Sequence, residues 1–150
     1  PTFEGRAVRF EKVADLSPTD GPATFEGGVD FDFLPDGSGS YFVGYRNGLI
    51  ELRGADHAVL GSTTLEVRRQ AECGLLALEA DPNFADNGRL WLGYCVPPEV
   101  GNDVSWLTWS DALPATVTSS DTTVLVRTQP STNGFHNVGD LGFDERGDFW

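Results

Sequence analysis

The chain has 150 residues, enough for one domain with its own hydrophobic core. Its 23 acidic residues outnumber its 10 lysines and arginines, and a net charge of −13 repels phosphate backbones and anionic lipid. We therefore expect no nucleic-acid partner and no membrane-surface partner. Membrane spans are not expected either, because no apolar run approaches the roughly 18 residues that cross a bilayer.

Short apolar runs alternate with turn residues along the whole chain, and no long helical periodicity interrupts them, which predicts an all-β fold. The predicted strands are Val8–Val13, Val29–Leu34, Tyr41–Tyr45, Leu49–Arg53, Thr64–Arg68, Leu75–Ala80, Leu90–Cys95, Trp106–Trp109, Val124–Arg127 and Asp140–Phe143. One more strand is predicted to begin at Phe149.

One design recurs three times, in "VDFDFLPDGSGSYFVGY", "LALEADPNFADNGRLWLGY" and "VGDLGFDERGDFW". Each copy has an alternating strand, an acidic turn with glycine and an aromatic strand. The turn glycines Gly37, Gly88 and Gly147 lie 51 and 59 residues apart, a spacing typical of four-stranded propeller blades. Three units cannot close a ring, and the chain begins at Pro1 without a methionine. We therefore interpret residues 1–150 as the N-terminal portion of one longer propeller domain.

The second hairpin has a register that accounts for several of its residues at once. Glu79 faces Arg89 in this register, and Cys73 faces Cys95. The pairing predicts a Cys73–Cys95 disulfide, with two buried thiols as the alternative. A structural disulfide in turn predicts a periplasmic or extracellular location. The two cysteines and two histidines show no zinc-type spacing, so no metal site is predicted among them.

Three stretches together resemble the soluble glucose/sorbosone (aldose sugar) dehydrogenases. "ECGLLALEADPNFADNGRLWLGY" is similar to the family's Glu/Gln-x-Gly-Leu-Leu, His-Pro-Asp-Phe and Asn-Gly-Arg-Leu-Tyr signature. "FHNVGDLGFDERGDFW" resembles its His-Asn-Gly-Gly-Asp-Leu stretch, and "FDFLPDGSGSYFVGYRNGLIEL" resembles its opening blade. The order and spacing agree over nearly the whole chain, which would supply the first two blades and part of the third.

The resemblance implies a six-bladed β-propeller that oxidises aldose sugars with pyrroloquinoline quinone (PQQ), calcium and an external electron acceptor. It assigns His136 as the catalytic base for the anomeric hydroxyl and Glu72 as a polar residue of the substrate pocket. An imidazole with an ordinary pKa near 6.5 suits the first role. The residues that clamp the quinone and bind calcium lie in later blades of the family, beyond Trp150.

The chain departs from the family pattern beside its candidate base. Phe135 stands where an Asn or Asp usually precedes the histidine, and Val138 replaces a glycine. His136 could instead be a turn histidine bonded to backbone, and Glu72 an ordinary exposed carboxylate. Arg46 could point into the central pocket or lie on a solvent-facing turn.

Two functions of different classes fit these features. The first is a sugar dehydrogenase, and the alternative is a non-catalytic propeller that binds carbohydrate or protein within an exported polypeptide. A metal-dependent lactonase fits less well, because the sequence shows no carboxylate and amide ligand set. Asp140 is interpreted as a loop anchor for backbone N–H groups rather than as a metal ligand.

Overall fold

A computed structural model of the chain describes residues 2–3, 6–7, 27–97, 101–128 and 137–150. Within these ranges the protein is built almost entirely of antiparallel strands, as the sequence predicts. A short pair, β1 (Thr2–Phe3) and β2 (Arg6–Ala7), stands apart from the two main sheets. The predicted strand Val8–Val13 lies outside the described residues.

The first main sheet is a four-stranded meander. It contains β3 (Gly28–Phe33), β4 (Tyr41–Tyr45), β5 (Leu49–Arg53) and β6 (Val59–Leu65), each paired antiparallel with the next. A later two-residue strand, β10 (Thr116–Val117), adds to the outer edge of this sheet in parallel with β6.

The turn between β4 and β5 shows why this hairpin follows its sequence closely. The side-chain oxygen of Asn47 accepts the backbone N–H of Leu49 at 3.0 Å, and Gly48 adopts a φ of 94°. Only glycine takes this backbone conformation without steric cost. Both strands consequently have the predicted bounds.

The second main sheet is another four-stranded meander. It contains β7 (Leu75–Ala80), β8 (Arg89–Cys95), β9 (Asn102–Thr108) and β11 (Thr123–Arg127), with β11 at its outer edge. Its connections hold one turn of helix, α1 (Phe84–Asn87), and a 3₁₀ turn at residues 119–121. None of the described helices is long or apolar enough to cross a bilayer.

A third unit begins after the second sheet. Residues 137–150 lie against its far face, where Phe143 and Phe149 form an isolated antiparallel bridge and both rings pack on Trp91. Asp140 to Gly142 are not in a strand, so the predicted strand Asp140–Phe143 is reduced to its last residue.

The main core lies between the two sheets. Its fully buried members include Phe42 and Ile50 from the first sheet and Leu78 and Leu92 from the second. Gly44 allows the sheets to approach closely, because a Cβ atom there would lie 2.6 Å from a methyl carbon of Leu78. The innermost strands β3 and β7 are neighbours across this interface.

The predicted register of the β7–β8 hairpin is wrong by two residues. Glu79 pairs with Trp91 instead of Arg89, and Ala80 pairs with Leu90. The turn is wider than expected because the four residues of α1 fill it, and Gly88 ends that helix with a φ of 62°. A shift of two preserves the faces of both strands, so Glu79 and Arg89 still lie on the same face.

Candidate functional site

The candidate residues Arg46 and Glu72 lie at one end of the two sheets, where the β4–β5 turn meets the segment that leads into β7. The Nε atom of Arg46 donates to the carbonyl of Cys73 at 3.1 Å, and its Nη2 donates to the carbonyl of Ala71. The carbonyl of Arg46 accepts the N–H of Leu75 at 3.1 Å. Arg46 therefore joins the first sheet to the segment that leads into β7, and its predicted place in the substrate pocket stays a prediction.

Gly74 permits this close approach. A Cβ atom at position 74 would collide with the carbonyl oxygen and the Cγ atom of Arg46. Glu72, two residues earlier, lies in an exposed turn. Its predicted contact with a substrate stays a prediction.

Asn137 brings the third unit to the same place. Its side-chain oxygen accepts a hydrogen bond from Nδ2 of Asn102 at 3.2 Å and lies 3.8 Å from the donor Sγ of Cys73. Asn102 is buried at the start of β9. Asn137, which follows His136 in sequence, thus contacts Cys73, which follows Glu72. His136 itself lies outside the described residues.

The two cysteines are buried neighbours and free thiols in the structure. Burial, followed by a hydrogen bond with Cys73, raises the pKa of Cys95 to about 12. The backbone N–H of Cys95 donates to the carbonyl of Gly74 at 2.9 Å. The two-residue register shift by itself would move Cys73 and Cys95 apart. A bulge between Leu75 and Ala77 changes the register again and keeps the two cysteines close. The predicted disulfide stays a prediction, since the structure holds both residues reduced.

A group of carboxylates that sequence reasoning did not assemble follows the inner strands. Asp30 and Asp32 on β3 face Glu79 on β7 and Asp140 in the third unit. Burial first, then the negative charge of Asp32, raises the pKa of Glu79 from its ordinary 4.5 to about 7. Burial also raises the pKa of Asp30. The alternating "DFD" in the first repeat was the available signal, since it places two acids on one strand face.

Asp140 bonds backbone, as predicted. Its Oδ1 accepts the N–H of Leu141 at 2.9 Å. Among the described residues, no three histidine, cysteine or acidic side chains are arranged to hold a metal ion. No residue described in the structure is assigned to calcium.

Solved structures of sugar-oxidising enzymes share this architecture. A glucose dehydrogenase is 24% identical with a TM-score of 0.68, and the match covers 83% of this chain and 40% of that one. The soluble aldose sugar dehydrogenase from Escherichia coli, in its apo form, is 27% identical with a TM-score of 0.62, covering 79% of this chain and 35% of that one. The PQQ-bound form of aldose sugar dehydrogenase from Streptomyces coelicolor is 18% identical with a TM-score of 0.60, covering 81% and 38%.

These matches confirm the propeller fold, of which the chain supplies two four-stranded blades and the beginning of a third. The chain spans 40% or less of the length of these three structures. No curated protein matches its sequence. The sequence does match the glucose/sorbosone dehydrogenase family over residues 25–150, and the chain therefore belongs to that family.

Proposed function

We propose that the protein is an oxidoreductase that oxidises the anomeric carbon of aldose sugars with a quinone cofactor. Family membership supports the sugar dehydrogenase class, and the PQQ-bound relative supports the quinone. The observation that carries the proposal is the contact of Asn137 with Cys73 and Asn102. It anchors the chain next to His136 beside the segment that holds Glu72.

In the proposed reaction His136 takes the proton from the anomeric hydroxyl of the sugar. When bound, the quinone would supply the acceptor for the hydride that leaves the same carbon, so that the sugar would be released as a lactone. An external electron acceptor is proposed from the family alone. Calcium is proposed from the family alone.

Glu72 and Arg46 have different roles in this proposal. Glu72 is exposed and can hydrogen-bond a sugar hydroxyl. Arg46 donates to the carbonyls of Cys73 and Ala71 on either side of Glu72, so it holds the turn that presents this carboxylate. Arg46 is thereby proposed as a positioning residue rather than as a direct substrate ligand.

The proposal is tested with the full-length protein, PQQ, calcium and an artificial electron acceptor. His136→Ala should lower sugar oxidation by about 100-fold or more, the scale of losing a general base. Quinone binding should persist, because a base that acts on the sugar does not hold the cofactor. Phe135→Asn should raise the rate, because an amide beside the histidine can orient the imidazole.

Two outcomes would overturn the proposal. Unchanged turnover in His136→Ala would make His136 a turn histidine. A full-length protein that binds sugar but no PQQ would be the non-catalytic carbohydrate-binding propeller. The matched control is His57→Ala, because His57 lies in a β5–β6 turn where its Nδ1 pairs with the hydroxyl of Tyr41 at 3.0 Å. That substitution should leave turnover unchanged.

A periplasmic or extracellular location is part of the same proposal and is supported by the adjacent cysteines. In an oxidising compartment Cys73 and Cys95 would form a disulfide and lose their two hydrogens to a disulfide-bearing thiol oxidase. Thiol titration of the denatured protein, purified from its native host without reductant, should find neither cysteine free. Two free thiols would contradict both the disulfide and the location argued from it.

A further inference from the structure

The innermost strands of the two sheets are joined by side chains rather than by a backbone ladder. Oδ2 of Asp30 accepts the N–H of Leu78 at 2.9 Å, and Oδ2 of Asp32 accepts the N–H of Ala80 at 2.9 Å. Both acceptors lie on β3 and both donors on β7, with the same offset along the chain. The two strands therefore run parallel, with Asp30 beside Leu78 and Asp32 beside Ala80.

This arrangement supplies acceptors for backbone N–H groups that an edge strand leaves unpaired. β7 is the inner edge of its sheet, so alternate N–H groups, including those of Leu78 and Ala80, point away from β8. A partly buried N–H without an acceptor is costly, and an open edge invites pairing with a foreign strand. Asp30 and Asp32 satisfy these donors.

The contact recurs between the second sheet and the third unit. Oε1 of Glu79 accepts the N–H of Phe143 at 3.3 Å. When the repeats are aligned on the prolines of their acidic turns, Pro35 and Pro82, Glu79 occupies the position of Asp32. The third repeat has no proline there and is aligned with the first on the turn glycines Gly147 and Gly37, which gives Phe143 the position of Phe33 and hence of Ala80. The same contact therefore links equivalent positions one unit further on.

Asp140 shares the local geometry of Asp30. Its position in the third repeat is that of Asp30 in the first. Oδ1 of Asp30 accepts the N–H of Phe31 at 2.8 Å, and Oδ1 of Asp140 accepts the N–H of Leu141 at 2.9 Å. In Asp30 this bond aims the second oxygen at the next unit. Asp140 is exposed.

We propose that these carboxylates form a repeated clamp between successive blades, and that Asp140 extends it by accepting a backbone N–H from the inner strand of the following blade of the same polypeptide. The partner is thus a backbone N–H of an edge strand at the position that Leu78 occupies in the second unit, four residues before the turn position of Pro82. The clamp concerns how blades are joined and does not depend on the proposed sugar oxidation.

Amide hydrogen exchange in the full-length protein tests the clamp. Asp30→Ala should speed exchange of the Leu78 N–H about tenfold or more, and Asp32→Ala should do so for Ala80, the scale of a hydrogen bond to a charged group. Asp32→Asn keeps an oxygen acceptor and should change the Ala80 rate much less. Unchanged exchange at Leu78 and Ala80 in the alanine variants would overturn the clamp.

A second pair of variants tests the extension through Asp140. Asp140→Ala should speed exchange of Leu141 and also of one N–H in the inner strand of the next blade. Asp86→Ala, which removes an exposed carboxylate of α1, is the matched control and should alter neither rate. If Asp140→Ala changes Leu141 alone, Asp140 is only a local anchor and the extension is wrong.

Discussion

The two edge strands of the second sheet, β7 and β11, differ strongly in burial. Four of the six residues of β7 are buried, whereas all five residues of β11 are exposed. Both strands are apolar in sequence, "LLALEA" and "TVLVR", so hydrophobicity alone does not separate them. The difference follows from position: both are edge strands, but β7 faces the first sheet whereas β11 forms the outer edge.

The two strands are consequently held by different forces. β7 gains stability from packing, with Leu78 fully buried against Gly44 and Leu75 in the core of the sheet interface. β11 is held by its ladder with β9 and by one ion pair, in which Arg127 binds Asp103 with two hydrogen bonds of 2.6 and 2.5 Å. Asp103 is completely buried, while Arg127 is 44% exposed.

The largest effect is expected from a matched pair of leucines. Leu78→Ala should lower the free energy of unfolding by about 2–5 kcal/mol, since it removes buried methyl groups and leaves a cavity. Leu125→Ala should cost less than about 1 kcal/mol, because Leu125 is 51% exposed. Urea unfolding of the full-length protein measures both. Equal losses would show that another part of the molecule covers β11.

A smaller effect is expected from the ion pair of the outer strand. Arg127→Ala should cost about 1–3 kcal/mol, because it leaves the buried carboxylate of Asp103 without its partner. The loss should appear first as faster amide exchange in β11.

Arg146→Ala is the control for that prediction. Arg146 binds two carboxylates, Asp144 and Asp148, but it is 75% exposed. Its removal should change stability by less than about 0.5 kcal/mol. If the two arginine variants behave alike, burial of Asp103 does not govern the strength of the pair.

The same contrast explains which parts of the fold the sequence predicts. β4, β5 and β7 have their predicted bounds, because alternating apolar residues and local turn chemistry define them. β6 runs from Val59 to Leu65 instead of from Thr64 to Arg68, and β9 begins at Asn102 instead of Trp106. The partner strand rather than propensity decides where both strands begin.

The site residues show a related limit. The sequence offers Arg46 as a candidate, but its bonds to Cys73 and Ala71 depend on how two units meet. The β7–β8 register was missed because α1 widens its turn, and the carboxylate clamp was missed because its partners are backbone groups. Sequence patterns report what lies within one unit more directly than what joins two.

The last prediction concerns the cost of placing acids on the inner strands. Glu79 has a folded pKa of about 7 against an ordinary value of 4.5, because of burial and then the charge of Asp32, with Asp30 and Asp140 adding to it. A raised acid pKa means that the unfolded chain releases its proton first as pH rises. The contribution is therefore favourable below about pH 4.5, is lost between 4.5 and 7, and stays lost above 7.

Glu79→Gln should remove this dependence while keeping an oxygen for the N–H of Phe143. We expect the variant to be more stable than the wild type by about 1 kcal/mol at pH 8, allowing for solvent screening of a half-buried group, and to lose that advantage at pH 4.5. Glu145→Gln, at an exposed turn position, should leave the pH profile unchanged. If the free energies of unfolding of wild type and Glu79→Gln differ by the same amount at both pH values, the inner carboxylates are fully solvated. The contrast between the inner and outer strands would then rest on apolar packing alone.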